Sequence, residues 1–212
     1  MHMPATPSAR PRGRAGHLER PREVLLQAAL DVFSRKGFAG ASVREIAARA
    51  KVNHGSIRYH YETKDKLWRA AVTFLFERQA REMDVSAAAA QGLSERELLE
   101  HFCREYVRYC ARHPEHARIA VQESIAGGAR LEWMAEHHIR VVHGAVGPYF
   151  ESCMERGLLE KVNVVSLMYL HAMASQAPFL LSAEIHAVHG VDVTSDQFIE
   201  QHAQTIVDLL LR

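Results

Sequence analysis

The side chains best suited to chemistry fall together between Ser42 and Lys64, in the run SVREIAARAKVNHGSIRYHYETK. His54, Ser56, Arg58, Tyr59 and His60 are hydrogen-bond donors that fit phosphate oxygens and the edges of bases. The chemistry on offer is recognition of an anionic polymer, so DNA binding is the first function implied. A guanidinium in this run, Arg58, can meet a guanine bidentately or hold a phosphate, and its neighbours leave both roles open.

Such groups need a scaffold, and the apolar residues around them supply one. Ile46, Ala47 and Ala50, then Val52 and Ile57, have the spacing of two short helices packed crosswise, with Ala47 small enough for a close crossing. Ser42 followed three residues later by Glu45 reads as a capping box that starts the first helix. Asn53 caps the second, which runs from about His54 to His60 and is the candidate recognition helix. Upstream, Val24, Leu25, Ala28, Ala29, Val32 and Phe33 repeat at helical spacing until Gly37. Downstream, Lys64, Asp65 and Lys66 open a longer helix through Leu67, Trp68, Ala71, Val72, Leu75 and Phe76. Three helices and the start of a fourth make a compact head.

Charge follows the same division. Residues 1 to 70 hold 14 Lys and Arg against 6 Asp and Glu, a net of plus 8, and the remainder carries minus 7, so a total of plus 1 hides a basic head. A basic field of this kind concentrates nucleic acid and weakens with salt.

The run from Arg22 to Val72 resembles the TetR family of bacterial transcription repressors, through several motifs in fixed order: Gly37-Phe38, Ser42 to Ala47, Val52 to Ile57, Tyr59 to Tyr61, and Lys64 to Leu67. Two positions depart from the family pattern. Lys51 stands where a glycine is common, at a cost of roughly 1 kcal/mol if its φ is positive, and a lysine there reaches towards phosphate. Arg58 stands where an aromatic residue is frequent. The resemblance implies an all-α fold with an N-terminal three-helix DNA-binding head carrying a helix-turn-helix, and a C-terminal helical domain for ligand binding and dimerisation. It also implies a homodimer through the last two helices, a palindromic double-stranded operator and a small-molecule effector. In that picture Ser42, Asn53, Tyr59, His60 and Lys64 hold phosphates, while Arg44, His54, Ser56 and Arg58 read bases. A two-fold dimer would set its recognition helices about 34 to 36 Å apart, in successive major grooves.

The domains expected are a flexible basic tail over residues 1–21, a helix-turn-helix domain over 22–68 and the ligand and dimer domain over 69–212. The tail, rich in Pro, Arg, Gly and Ala, reads as a solubilising segment, with minor-groove contact as the alternative. It has no apolar run of signal-peptide length. Beyond it, helices are predicted from Ser94 to Pro114, from Glu115 to Ala126, from Ala129 to Arg156, from Asn163 to Leu181, and from Ser195 onward. At 48% hydrophobic residues the chain can bury a sizeable core. No stretch of 18 apolar residues is present, so no membrane span is expected and the protein reads as cytoplasmic.

Candidate pocket residues in the C-terminal part are Phe102, Tyr106, Tyr109, Trp133, Met134, His137, Met168, His171, Met173 and Phe179, around an apolar or amphipathic ligand. Aromatic and methionine residues at helical spacing also build ordinary cores. Cys103, Cys110 and Cys153 lack metal spacing and read as buried thiols, with redox sensing as the alternative. The pairs His113 with His116, His137 with His138, and His186 with His189 come without further ligands in a metal-binding spacing, so neither metal nor cofactor is expected. A helical enzyme using His171 with Glu184, or a dimeric interaction module, are the competing classes. No nucleophile motif, Walker loop or dinucleotide fingerprint supports catalysis.

Overall fold

The computed structural model describes residues 15–83 and 92–211, with side chains from Pro21 onward. Residues 1–14 of the basic tail lie outside the described residues. Among the described residues eleven α-helices and one π-helical turn follow in order: α1 (Ala15–Gly40), α2 (Val43–Ala50), α3 (His54–Tyr61), α4 (Lys64–Glu82), α5 (Glu95–Arg112), α6 (Pro114–Ala126), α7 (Ala129–Met134), the π turn (Ala135–Ile139), α8 (Arg140–Glu155), α9 (Val164–Leu180), α10 (Ser182–His189) and α11 (Asp196–Leu210). Among the described residues no strand forms, and the lone bridge pairs Leu159 with Leu211.

The helix ends follow the local sequence with a few corrections. Gly37 breaks the helical path of α1 with φ of 67°, a left-handed value that glycine adopts without a Cβ penalty. Ser94 and Glu97 form a reciprocal capping box at the start of α5, Pro114 opens α6, and Asn163 and Ser195 cap α9 and α11. Ser42 occupies the N-cap of α2 without a side-chain cap hydrogen bond, and the Glu45 carboxylate, expected to complete a capping box, pairs with Lys36 at 2.8 Å instead. Val24 is exposed rather than inward-facing. α1 already starts at Ala15, within the segment expected to be tail. The helix predicted after Ala129 contains the π turn, and α10 intervenes between the two expected last helices.

Two hydrophobic cores result. The first joins Leu26, Leu30, Phe33, Ile46, Ile57, Leu67, Trp68 and Leu75 from α1 to α4, and Ile119 and Met134 from the body complete it. The second packs α5, α8, α9 and α11 around Leu99, Val107, Phe150, Phe179 and Ile206. α4 runs unbroken from one core towards the other, so the boundary expected between residues 68 and 69 falls inside a helix. Among the described residues no single helix is long and apolar enough to cross a membrane; α9 with α10 passes by length and composition only as a pair bent by 63°.

Candidate nucleic-acid interface and ligand cleft

The helix-turn-helix is seated through its apolar side and leaves its polar side free. Ile57 of α3 is buried against Ile46 and Ala47 of α2, while Ser56, Arg58, Tyr59 and His60 face outward. Tyr59 is 83% exposed, high for an aromatic side chain in a folded domain. The turn between the helices is held by Lys51 in the left-handed region at φ 56°, ψ 39°, as its position in the motif requires. The Asn53 carboxamide oxygen then accepts a hydrogen bond from the Gly55 amide at 2.7 Å. A Cβ on Gly55 would sit 3.1 Å from that oxygen, so the glycine keeps the cap open.

The cations of the head divide into two groups. Arg49 binds Asp31 at 2.7 Å and Lys36 binds Glu45, which tie α2 to α1. Arg44, Lys51 and Arg58 are exposed and have no ion-pair partner among the described residues. Ser42 and Asn53 are exposed beside them, and His54 is half-buried at the start of α3. Lys64, expected to hold a phosphate, has its side chain turned onto the head itself. Its ammonium donates to the carbonyls of Phe38 at 2.8 Å and Ala41 at 3.1 Å and lies over the Phe38 ring, so it fastens α4 to the end of α1.

Head and body meet through a buried ion pair. Arg78 of α4 reaches Glu115 of α6 at 2.7 Å and also donates to Gln27 of α1 at 2.6 Å, while Gln27 donates to Glu115 at 3.2 Å. His113, at the α5–α6 corner, lies 2.9 Å from Glu82 and 3.7 Å from Glu115. Burial alone would raise the Glu115 carboxyl, but His113 and the Arg78 charge outweigh it and hold the group at about 2.

Beside this pair lies a cleft of about 290 Å3 whose walls come from α4, α5, α6, the π turn, α8 and α9. Phe76 stands at its α4 side, edge-on to His116 at 4.8 Å and stacked on His138 at 4.9 Å. The wide π turn brings Ile139 into the lining and sets His138 against Phe76 and Thr73. His116 bonds the Tyr109 hydroxyl through Nδ1 at 2.8 Å, and burial together with the Arg78 charge lowers its pKa to about 3, so it stays neutral. A larger groove of about 530 Å3 lies in the head between α1 and α3, but its walls include Leu25, Val52 and Ile57, which seat the recognition helix.

Of the ten expected pocket residues, Tyr106 and Met173 line the cleft. Trp133 and Met134 pack instead on the head core, Trp133 edge-on to Trp68 at 5.8 Å with Arg69 over its ring. His137 is exposed and stacks on Trp133. Phe102, Met168, His171 and Phe179 belong to the second core, where His171 is sandwiched by Phe102 and Tyr106, and Tyr109 is buried with its hydroxyl on His116. Phe76, Gln79, His116, His143 and Tyr169 line the cleft without having been expected there. Phe76 carries only a core-like helical spacing in the sequence, and no local signal separates it from Leu75.

The three cysteines are free and buried, and burial pushes the Cys103 and Cys110 thiols up to about 12, which leaves little thiolate for redox chemistry. Among the described residues no group of three or more His, Cys, Asp or Glu side chains is placed to hold a metal ion.

A basic three-helix head with an outward recognition helix, set on a helical body with a cleft, is the architecture of a helix-turn-helix transcriptional regulator. Residues 25–71 match the bacterial regulatory proteins of the tetR family, and residues 82–212 match the C-terminal region of YcdC-like proteins. The chain therefore belongs to the TetR family. It is 29% identical over 210 residues, 94% of each chain, to the HTH-type transcriptional repressor NicS of Pseudomonas putida. A TetR-like transcriptional regulator from Rhodococcus sp. RHA1 superposes with a TM-score of 0.63 at 20% identity, covering 89% of this chain and 92% of its own. The regulator FadR from Bacillus subtilis, solved with stearoyl-CoA, gives 0.64 at 13% identity over 88% and 97%. At those identities the two structures show a shared fold. The chain is thus a transcriptional regulator and not an enzyme.

Proposed function

We propose that the protein is a homodimeric repressor that occupies a palindromic operator and leaves it when a small molecule fills the body cleft. The observation that carries this reading is α3: anchored by Ile57 alone among its buried residues, it turns Ser56, Arg58, Tyr59 and His60 to solvent. Arg44, His54, Ser56 and Arg58 then read base edges, while Ser42, Asn53, Tyr59 and His60 hold phosphates. Lys64 serves by positioning α4.

Dimerisation is supported by α9, which buries Leu167, His171 and Phe179 on one side and exposes Val165 and Leu170 on another, beside Tyr169 and Met173, which face the cleft. α11 turns mostly polar residues outward, with Leu209 the apolar exception, so α9 is the centre of the proposed interface and α11 its flank. Ligand response is supported by the position of the cleft against α4, the helix that carries the head. An effector releases DNA only if it binds the DNA-incompetent arrangement more tightly. A protein acting on the bacterial chromosome works in the cytoplasm.

Selection from a randomised duplex library at two salt concentrations tests the proposal. An enriched palindrome is the expected result. Unselective binding that vanishes with salt would leave a basic surface without readout and overturn it.

A further inference from the structure

We infer that the body cleft takes an uncharged, planar aromatic molecule of about a dozen non-hydrogen atoms that bears a hydrogen-bond donor. This rests on the ligand response proposed above and specifies its chemistry. No Lys, Arg, Asp or Glu is among the described residues that line the cleft. Its titratable side chains are Tyr106, Tyr169, His116 and His143, and His116 is enclosed with its Nδ1 committed to the Tyr109 hydroxyl. The nearest buried charges, Arg78 and Glu115, neutralise each other 2.7 Å apart. A carboxylate or phosphate against the inner wall, beside His116 and Gln79, would lose hydration and gain no permanent counter-charge, and an ammonium would find ring faces there but no carboxylate to replace its water.

The walls select shape as well as charge. Phe76, Tyr106 and Tyr169 bring rings from α4, α5 and α9, and the histidines add two more, which favours a flat partner that stacks or meets them edge-on. The donor requirement comes from Gln79 of α4. It lines the cleft, and its side-chain oxygen is buried without a hydrogen-bond partner among the described residues. A ligand N–H that reaches this oxygen once the side chain turns into the cleft satisfies an acceptor that no described residue meets. Because Gln79 follows Arg78 on α4, ligand contact falls on the helix that bears the head.

The test uses matched pairs on the full chain: indole-3-carboxamide against indole-3-carboxylate, and 2-quinolinone against quinoline-2-carboxylate. Calorimetric titration and thermal shift are expected to show the neutral member bound more than about 100-fold tighter. Gln79→Leu should reduce carboxamide affinity about tenfold or more while leaving that of naphthalene, which has no donor, within about twofold. Equal or tighter binding of the anions, binding of neither member at millimolar concentration, or indifference to Gln79→Leu overturns the inference. Operator selection is measured in a separate arm on protein without probe. Failure there sinks the regulator reading, whereas a wrong charge preference with DNA selection intact sinks only the ligand class.

Discussion

Arg58 and Tyr59 are neighbours on α3 with different chemistry, and they separate specificity from affinity. Arg58→Ala is expected to relax discrimination at one base pair by about 1 to 3 kcal/mol, whereas Tyr59→Phe weakens all operator variants alike. Anisotropy titrations over single-base variants check both, and uniform losses for Arg58→Ala would assign that guanidinium to phosphate. His171 offers a second prediction at this scale. Burial lowers its pKa to about 4, from an ordinary value of 6.5. Below pH 6.5 the unfolded chain takes up a proton that the folded chain refuses until about pH 4. Stability therefore falls as pH drops through that window, by up to about 1.4 kcal/mol per pH unit. His171→Phe keeps a ring between Phe102 and Tyr106, and it should flatten this part of the melting-temperature profile.

Between elements, the Arg78–Glu115 pair decides how α4 sits on α6. Both side chains are buried, so removing one partner leaves a charge without water or counter-ion. Glu115→Ala is expected to cost about 3 to 5 kcal/mol in chemical denaturation, and pairing Arg78→Met with Glu115→Leu should recover most of that loss. Glu115 is held at about 2, below its ordinary 4.5, so its contribution is complete above about pH 4.5 and is lost as pH falls towards 2. Acid titration of the double variant should lack this component. The α2–α3 elements were legible because each depends on residues close in sequence: Asn53 caps the helix that Ile57 anchors. Ser42 and Glu45 show the limit of that legibility, since Lys36, nine residues before Glu45, claims the carboxylate across a helix junction.

For the whole molecule, the basic head and the apolar face of α9 predict assembly and salt dependence together. Leu170 is 65% exposed in the single chain. Leu170→Glu is expected to shift sedimentation from a dimer to the 23.9 kDa monomer and to reduce operator affinity, since one head holds only one half-site. A dimer that persists unchanged would move the interface away from α9. Operator affinity should fall steeply and linearly in log–log form with added salt as counterions are released. An Arg44→Ala variant should show a shallower slope if its guanidinium meets phosphate and an unchanged slope if it reads a base.

The sequence alone determined the helical class, the order of the long helices, the basic head and the recognition helix. Helical periodicity, caps and turn residues act over a few positions, and the signature of Gly37, Lys51, Asn53 and Gly55 is complete within one short run. Only the tertiary structure decided which aromatic residues face a cleft. Trp133 and Phe76 have the same kind of spacing in the chain, yet one is pressed on Trp68 in the head core and the other walls the cleft. Their separation depends on the π turn and on how α4, α6 and α9 converge. Burial of a side chain at a junction of several helices is a property of their packing, which no local pattern encodes.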